Sequence, residues 1–341
     1  MVNRPTLQDL AKTAGVSIAT VDRVINRRLP VSDDTAQRVV RAAESIGYHG
    51  TSLIKRRLTE IPVRRFGYLL QKRHDAFYQN LANALVAATK ANHEIEGKPL
   101  LEFIDEVSPS FIARRILDVV PRVDAMAVVA MDSPQVNEAI EHVAARGKPV
   151  FTLLSHVSSA ASTGHIGLDS RKCGRIAGWT IGRLAKAPGK IGILVGSHRY
   201  LNQETSEISF RAYMREHHPE FQLLEPIINL DDERIAYEAV SDMLGSYPDL
   251  AAVYVAGGGQ DGLIRALREF QGRRRPVAVC NELTTNTRAA LIENVIDLAL
   301  ATPLGPLAAR TVANMAAACD ERRVLPQQAL LAPEIMVSEN I

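Results

Sequence analysis

Residues 6–48 read TLQDLAKTAGVSIATVDRVINRRLPVSDDTAQRVVRAAESIGY, and the pattern of this stretch decides how the chain is organised. Its first segment repeats apolar residues at the spacing of one helical face. Those residues are Leu7, Leu10, Ala11 and Ala14. Thr6 is a suitable N-cap for this helix, and Gly15 ends it. Ser17 and Ser32 are the N-caps predicted for a second and a third helix.

The second and third segments carry apolar stripes of their own. In the second segment the stripe is Val21, Val24 and Ile25, and in the third it is Ala36, Val39, Val40, Ala43 and Ile46. Asp33 and Asp34 suit the first turn of the third helix because the helix dipole favours negative charge there, and Gly47 closes that helix. Two helices joined by a glycine-containing turn, with a third packed behind them, form the helix-turn-helix pattern. A basic bundle that docks on a protein is the alternative.

The charge of the chain is unevenly distributed. Residues 1–65 carry 12 Lys and Arg against 6 Asp and Glu, whereas residues 66–341 carry 28 against 32. Only the first segment has the electrostatics of a protein that binds a polyanion such as DNA. We find no N-terminal signal segment and no run of about 18 apolar residues, so we expect a cytoplasmic protein. Cys173, Cys280 and Cys319 lack the paired spacing of a zinc site, and we expect no metal or cofactor.

From residue 65 onward, apolar runs of strand length alternate with stretches of helix length. The runs are RFGYLL, LLEFID, AMAVVAM, KPVFTLL, HIGLD, KIGILVG, AAVYVAG, RPVAVC and IDLALA. Such alternation predicts parallel sheets covered by helices on both faces. About 275 residues are more than a single hydrophobic core usually organises. We therefore expect two lobes, with a ligand held between the carboxyl ends of their strands. Those ends are predicted near Gln71, Asp132 and Ser155 in one lobe and near Ser197, Gly257 and Glu282 in the other.

The stretch from Thr6 to Tyr48 closely resembles the DNA-binding headpiece of the LacI (lactose repressor) family. The remainder resembles that family's type I periplasmic-binding-protein core through HIGLDSRKCGRIAGWTIGRLAK, KIGILVGS, YPDLAAVYVAGGG and VAVCNELTTNTRAAL. The resemblance implies a homodimer that reads a pseudo-palindromic double-stranded DNA operator and responds to a small effector, usually a sugar, polyol or related metabolite.

The expected fold is α/β: a two-lobed, doubly wound, parallel-sheet core like that of periplasmic binding proteins, with an all-α helix-turn-helix headpiece. The predicted boundaries are residues 1–49 for the headpiece, 50–64 for a basic hinge or linker, and 65–341 for the core that binds the effector and dimerises.

The helix that follows Ser17 is the predicted DNA-reading helix, because recognition helices enter the major groove by their N-terminal residues. Ile18 and Ala19 cannot form paired hydrogen bonds, so we expect them to contact thymine methyl groups. Arg23 stands where the family places an arginine and can bind guanine N7 and O6; a phosphate contact or a surface ion pair is the alternative. Phosphate contacts or capping are expected of Thr6, Ser17, Thr20 and Asn26.

The headpiece departs from the family pattern at two places. Asp22 stands where the family more often has serine, and we expect it to pair with Arg23 or Arg27, or else to read a cytosine amino group. The connector HGTSLIKRRL replaces the family's usual hinge sequence. Its DNA-contacting candidates are Arg56 and Arg57, for the backbone or the minor groove, and Leu58 or Leu53 as an apolar wedge.

The effector-binding candidates follow the predicted strands. Asp75, Phe77 and Tyr78 occupy the place of an aromatic contact segment in the family, and a helix-core role is the alternative for the two aromatic residues. Glu282 matches the family's ligand carboxylate of the second lobe. The other candidates are Asp132, His156, Asp169, Gln260 and Asn281. Two of these have alternative roles, which are capping of the next helix for Asp169 and a solvated loop position for His156.

Two further departures concern the ligand. Ser206 stands where the resemblance implies an arginine that grips ligand oxygens, and Gly257, Gly258 and Gly259 replace an Asn-Asp pair. A glycine run after a strand is also typical of phosphate binding by backbone amides, but the Lys-Ser/Thr of a nucleotide-binding loop is missing. The identity of the ligand therefore does not carry over from well-known relatives.

These features favour a sequence-specific DNA-binding transcription regulator, expected to be a repressor, under the control of a sugar-like effector. A regulator whose core responds to a non-sugar metabolite or to a partner protein is the alternative. The basic headpiece disfavours a solute receptor, and the lack of a nucleophile elbow, metal spacing or dinucleotide fingerprint disfavours an enzyme. No heptads follow the core, so a dimer is expected.

Overall fold

A computed structural model describes residues 5–26, 31–52, 54, 61–104, 106, 108–320 and 327–341. The chain divides into two compact units, Met1–Pro62 and Val63–Ile341. Each unit buries apolar side chains in a core of its own.

The first unit is helical, as the sequence predicts. Its helices among the described residues are α1 (Leu7–Ala14), α2 (Ile18–Asn26) and α3 (Asp33–Ser45). Thr6 accepts a hydrogen bond from the Asp9 amide, and the Asp9 carboxylate accepts one from the Thr6 amide at 2.8 Å. Gly15 ends α1 at a φ of 64°, a left-handed conformation that glycine adopts without strain. Ser32 caps α3 by accepting from the Thr35 amide.

The three helices close around a small apolar core. Its buried members are Leu10, Ala11, Ala14, Val21, Val24, Ala36, Val39, Ala42, Ala43 and Ile54. Leu7, which the periodicity assigns to the buried face, is 40% exposed because it lies in the first turn of α1, at the end of the bundle. Ile54 is 1% exposed, and Thr51 Oγ1 donates to the carbonyl of Ala43 at 3.1 Å. Two residues of the predicted linker therefore pack with the headpiece.

The second unit has two lobes, each built on one sheet. The described strands of the first lobe are β1 (Val63–Gln71), β2 (Glu96–Ile104), β3 (Ala125–Val128), β4 (Val150–Leu153), β5 (Gly164–Leu168) and β12 (Gln328–Leu331). They lie in the order β12-β5-β4-β3-β1-β2, and every pairing is parallel. The helices of this lobe are α4 (Ala76–Ala91), α5 (Pro109–Val119), α6 (Pro134–Ala144) and α12 (Leu304–Ala318).

Side chains of β1 point alternately to the two faces of this sheet, and both faces are covered. Phe66 and Tyr68 pack in the cluster that includes Leu81 of α4 and Leu307 of α12. Leu69 packs on the other face, in the cluster that contains residues of α5 and α6. A strand buried on both faces reads as a continuous apolar run, which is why RFGYLL does not alternate.

The second lobe repeats this arrangement. Its described strands are β6 (Lys190–Val195), β7 (Gln222–Leu223), β8 (Ile227–Ile228), β9 (Leu250–Val255), β10 (Val277–Asn281), β11 (Leu298–Ala301) and β13 (Glu334–Met336). The order is β13-β11-β10-β9-β6-β7, with β8 also paired to β6 and with β13 antiparallel to β11. Its helices are α7 (Ser170–Leu184), α8 (Leu201–His217), α9 (Glu233–Ser246), α10 (Gln260–Glu269) and α11 (Thr285–Ile292).

Three short segments of the described chain connect the lobes, after β5, after β11 and after β12. They place Leu168, Ser170 and Thr302 at the boundary between the lobes. The two-lobed, doubly wound fold with an all-α N-terminal unit is therefore the predicted one.

All nine apolar runs form strands, whereas β7, β8, β12 and β13 were not predicted. These strands have two to four residues and pair at or near a sheet edge, so their sequences show too little apolar patterning to be recognised.

Candidate functional site

The exposed surface of α2 is the candidate DNA-binding surface. Ile18 is 47% exposed, and Ala19 and Arg23 are exposed as well. Because this isoleucine side chain is exposed, it adds little to the hydrophobic core of the headpiece. It is therefore available for apolar contact with a DNA groove.

The polar residues of this surface have structural partners. Ser17 Oγ accepts from the Thr20 amide at 3.1 Å and lies 2.9 Å from the Thr20 hydroxyl, so it caps α2 as predicted. Asn26 Nδ2 donates to Asp22 Oδ1 at 2.6 Å. Asp22 thus accepts from an amide one turn further along α2, and its predicted pairing with Arg23 or Arg27 stays a prediction. Arg27 lies outside the described residues, as do Leu53, Arg56, Arg57 and Leu58.

The turn before α2 is fixed from behind by α3. Arg38 donates through Nη2 to the carbonyls of Ala14 and Gly15, at 2.8 and 3.2 Å. These carbonyls are among the acceptors that the end of a helix leaves without partners. Together with the buried Val21 and Val24, this contact holds α2 at a defined angle to α1.

The second candidate site is the cleft between the two lobes of the core. It encloses about 870 Å³ of empty space, including the part that is open to solvent. The lining residues are Lys72, Asp75, Phe77, Tyr78, Val129, Leu154, Ser155, Leu168, Ser170, Cys173, Tyr200, Asn202, Gln203, Ser206, Asp231, Ala256, Gly257, Gly258, Gln260, Asn281, Glu282 and Thr302.

Six of the nine predicted effector-binding residues line this cleft. They are Asp75, Phe77, Tyr78, Gln260, Asn281 and Glu282. The carboxyl ends of the parallel strands bring them together, as the sequence argument required. Sequence reasoning missed Lys72, Tyr200, Asn202, Gln203, Asp231 and Thr302. Lys72 and Thr302 each directly follow a predicted strand, which is the signal that could have identified them. The others stand in loops or at helix starts whose position depends on the tertiary fold.

The first-lobe wall of the cleft combines a carboxylate with two aromatic rings. Asp75 caps α4, and its Oδ1 accepts from the amides of Phe77 and Tyr78 at 2.8 and 3.4 Å. The rings of Phe77 and Tyr78 meet edge to face with centroids 5.3 Å apart. Burial raises the pKa of Tyr78 well above its usual value, and the charges of Tyr200, Asp231, Asp75 and Glu282 raise it further. The three carboxylates among these groups line the same cleft as Tyr78.

Glu282 provides a partly buried carboxylate on the second-lobe wall. Its Oε1 accepts from the Thr302 hydroxyl at 2.6 Å and its Oε2 from the Thr302 amide at 3.0 Å. Burial raises the pKa of Glu282 to about 7, although the bonds from Thr302 lower it, and the charge of Asp75 adds to the rise. The backbone of Glu282 has a φ of 66°, a conformation that is strained for a residue with a side chain.

Three amide side chains among the lining residues have buried oxygens. Asn281 Nδ2 donates to the Ala256 carbonyl at 2.7 Å, which fixes the orientation of the amide and turns Oδ1 away from that bond. This Oδ1 and the side-chain oxygens of Asn202 and Gln260 are buried and have no hydrogen-bond partner among the described residues. A buried acceptor without a donor costs about 1–3 kcal/mol, and a ligand with hydroxyl or amino groups would supply the missing donors.

In the glycine run, the amide of Gly258 is already bound to a carboxylate of the protein. The Gly258 amide donates to Asp231 Oδ1 at 2.6 Å, and Gln203 Nε2 donates to the same oxygen at 3.3 Å. Asp231 thus places a carboxylate of the protein against the turn where a phosphate group would bind. This contact disfavours a phosphate group at Gly258, and phosphate binding by the other amides of the run stays a prediction.

Three hydrogen bonds join the lobes beside the cleft. Lys72 Nζ donates to the Asp231 carbonyl at 2.9 Å, and the Tyr200 hydroxyl donates to Gln71 Oε1 at 2.8 Å. The Asp132 amide donates to the Arg199 carbonyl at 2.8 Å. Tyr200, which belongs to the second lobe, also packs in an apolar cluster of the first lobe. The structure is therefore that of a closed cleft.

The other three predicted effector residues do not line the cleft. Asp132 Oδ1 accepts from the side chain of Asn137 and from the amide of Ser158, so it organises a loop. Asp169 caps α7 by accepting from the Lys172 amide at 3.2 Å, which is its alternative role. Burial lowers the pKa of His156, whose ring centroid lies 5.5 Å from that of the buried His165.

The described residues contain no group of three or more His, Cys, Asp or Glu side chains placed to hold a metal ion. No described helix is long and apolar enough to cross a membrane. Cys173 lies in the cleft wall, and burial raises the pKa of its thiol to about 12. This thiol therefore stays protonated and is not a nucleophile.

Family models match both units of the chain. Residues 66–322 match the periplasmic binding protein domain, over the two lobes described above. The chain belongs to that family. Residues 6–50 match the lacI family of bacterial regulatory proteins, so the N-terminal unit is a LacI-family helix-turn-helix domain. The family resemblance predicted from the sequence is confirmed for both parts.

The LacI-family headpiece and part of the core are similar to curated regulators. A transcriptional regulator MalR of Streptococcus pneumoniae is 33% identical over 120 residues, 33% of this chain and 36% of MalR. GalS of Salmonella typhimurium is 26% identical over 200 residues, 57% of this chain and 54% of GalS. The chain thus spans about a third to a half of the length of these curated relatives.

The periplasmic-binding-protein core also matches solved structures. An ABC transporter solute-binding protein from Agrobacterium vitis, bound with α-D-tagatopyranose, superposes with a TM-score of 0.75 at 18% identity. The match covers 81% of this chain and 95% of that protein. At this identity the likeness concerns the fold.

Proposed function

We propose that the protein is a sequence-specific DNA-binding transcription regulator, a repressor, whose core responds to a small sugar or polyol. It acts in the cytoplasm as a homodimer on a pseudo-palindromic operator. The observation that carries this proposal is that one chain joins a LacI-family headpiece with an exposed α2 surface to a two-lobed core whose cleft is lined by polar and aromatic side chains. The headpiece supplies recognition of DNA, and the cleft supplies the response.

The chemistry of α2 supports DNA reading. Ile18 and Ala19 expose apolar groups at the helix start, where they suit thymine methyl groups. Arg23 is exposed on the same helix and reaches far enough to bind a guanine edge with two hydrogen bonds. Ser17, Thr20 and Asn26 orient the helix, and their remaining hydrogen-bonding capacity suits phosphate groups.

The chemistry of the cleft supports a polyhydroxylated effector. It offers aromatic rings for the apolar faces of a sugar, together with carboxylate and amide oxygens for its hydroxyl groups. A partner protein is a weaker candidate for the signal, because a polar cleft enclosed by two lobes suits a small molecule better than a protein surface. Ligand-dependent closure of the lobes then changes the affinity of the dimer for its operator.

The test of DNA reading is an operator selection from random duplexes with the full-length protein. We expect a two-fold symmetric consensus. Arg23→Ala should remove one base preference in each half-site, at a cost of about 1–3 kcal/mol for the cognate operator, whereas Arg41→Ala, a charge-matched change on α3, should leave the consensus unchanged. If Arg23→Ala selects the same consensus as the wild type, Arg23 does not read a base. If the full-length protein selects no sequence, the proposed function is refuted.

A further inference from the structure

The charges that line the cleft are unbalanced. Three carboxylates line it, those of Asp75, Asp231 and Glu282, whereas Lys72 is the only basic side chain among the described lining residues. Lys72 is already engaged, because its ammonium group donates to the Asp231 carbonyl across the lobes. With a neutral ligand, hydrogen bonds alone would stabilise these carboxylates when closure excludes water.

The hydrogen-bonding groups of the cleft are unbalanced in the same direction. The buried oxygens of Asn202, Gln260 and Asn281 have no donor among the residues described in the structure. The amide of Gly258, which could have bound an anion, already donates to Asp231. These buried acceptors require donors, and an amine is a richer donor than a hydroxyl group because it carries up to three N–H bonds and a charge.

The carboxylates and the aromatic rings line the same cleft. Asp75 caps the helix turn that holds Phe77 and Tyr78, and the charges of Asp75, Asp231 and Glu282 add to the rise of the Tyr78 pKa that burial causes. An ammonium group placed there would contact carboxylates and could lie over a ring face, two interactions that a neutral hydroxyl group cannot make with equal strength.

We infer that the ligand of this cleft is a polyhydroxylated amine, an amino sugar or an amino polyol, with its ammonium group bound among Asp75, Asp231 and Glu282. Its hydroxyl groups donate to the amide oxygens of Asn281 and Gln260. Sugar phosphates and sugar acids are excluded, because their negative charge would meet carboxylates without a guanidinium group to receive it. This inference rests on the proposed function only in taking the cleft as the effector site.

The test compares matched ligands on the full-length protein. The pairs are D-glucosamine with D-glucose, D-galactosamine with D-galactose, and 1-amino-1-deoxy-D-sorbitol with D-sorbitol; N-acetyl-D-glucosamine and D-glucose 6-phosphate are the neutral and anionic controls. Titration calorimetry at pH 7 should give a dissociation constant at least tenfold lower for the amine in one or more pairs. Equal or tighter binding of the neutral partner, binding of the phosphate, or no binding by any amine would overturn the inference.

Variants locate the ammonium group. Glu282→Gln and Asp75→Asn keep acceptors for Thr302 and for the α4 cap, and each should weaken amine binding about tenfold while changing the neutral partner less than threefold. Asp232→Asn is the matched control, because Asp232 caps α9 beside Asp231 and does not line the cleft; it removes a charge and keeps the cap. An equal loss in all three variants would indicate a general electrostatic effect instead of a binding site.

Operator binding separates this inference from the proposed function. If an amine binds with the expected preference but leaves the affinity for the selected operator unchanged, the ligand class stands and the proposed regulation fails. If a neutral sugar binds and changes the operator affinity, the regulation stands and the ligand class fails.

Discussion

Glu282 should make the core less stable as the pH rises from about 4.5 to 7. Its pKa is raised to about 7 in the folded state, mainly by burial, from an ordinary value of 4.5. Below pH 4.5 the carboxyl group is protonated in both states, so it has no effect. Between the two values the unfolded chain ionises first, so the free energy of unfolding falls as the pH rises. A rise of this size corresponds to an upper limit of about 3 kcal/mol above pH 7.

The variant Glu282→Gln should remove this dependence. Glutamine fills the same space and can still accept from the Thr302 amide, but it has no charge to bury. The free energy of unfolding of the variant should therefore rise relative to that of the wild type between pH 4.5 and pH 8. The expected rise is about 1–3 kcal/mol. For a unit of this size, such a gain raises the melting temperature by several degrees at about 2–4 °C per kcal/mol.

The assay is urea denaturation at pH 4.5, 5.5, 6.5 and 8, followed by the fluorescence of Trp179, the single tryptophan, which lies on α7 of the second lobe. Asp232→Asn serves as the control for loss of a charge near the cleft. A difference between Glu282→Gln and wild type that stays constant across this range would refute the reasoning, because it would mean that Glu282 titrates normally in the folded protein.

Three further predictions test the packing. Tyr200→Phe removes the donor to Gln71, which is 1% exposed, and should lower the free energy of unfolding in urea by about 1–3 kcal/mol; a wild-type value would mean that Gln71 finds another donor. Gly174→Ala would place a Cβ 2.1 Å from a backbone oxygen of α8 and should lower the free energy of unfolding by about 3 kcal/mol or more, measured by calorimetry. In the control Gly245→Ala the new Cβ meets no neighbouring atom, and this variant should be neutral or stabilising. Gly15→Ala should cost about 1 kcal/mol in melts of the headpiece because of its left-handed backbone, and an unchanged melt would contradict that cost.

The sequence predicted the elements of the fold well because their signals are local. Thr6, Ser17 and Ser32 cap helices through backbone amides only three residues away. Apart from the half-buried edge strand β2, the nine apolar runs are mostly buried on both faces of their sheets, and such runs remain visible without knowledge of their neighbours. The short strands at the sheet edges escaped prediction because partners distant in the sequence define them.

The candidate site was only partly predictable for the same reason. Asp75, Gln260 and Glu282 follow strands or begin helices, and the rule for parallel sheets placed them at the cleft. Asp132 and Asp169 satisfy the same rule, but their side chains turn toward nearby amides and leave the cleft. Strand ends indicate which residues can reach a site, and the hydrogen bonds of the folded chain decide which of them do.

By itself, the sequence determined a helix-turn-helix headpiece, a two-lobed α/β core and the polarity of the surface around Arg23. It did so because helix caps, the periodicity of apolar residues and charge depend on residues that are close together in the sequence. The tertiary structure alone decided the character of the cleft. The Gly258 amide binds the carboxylate of Asp231, which lies 27 residues away in the sequence, and Lys72 binds the Asp231 carbonyl across 159 residues. Such long-range contacts decide which polar groups of the cleft are already hydrogen-bonded and which acceptors remain for a ligand. No local sequence pattern encodes these contacts.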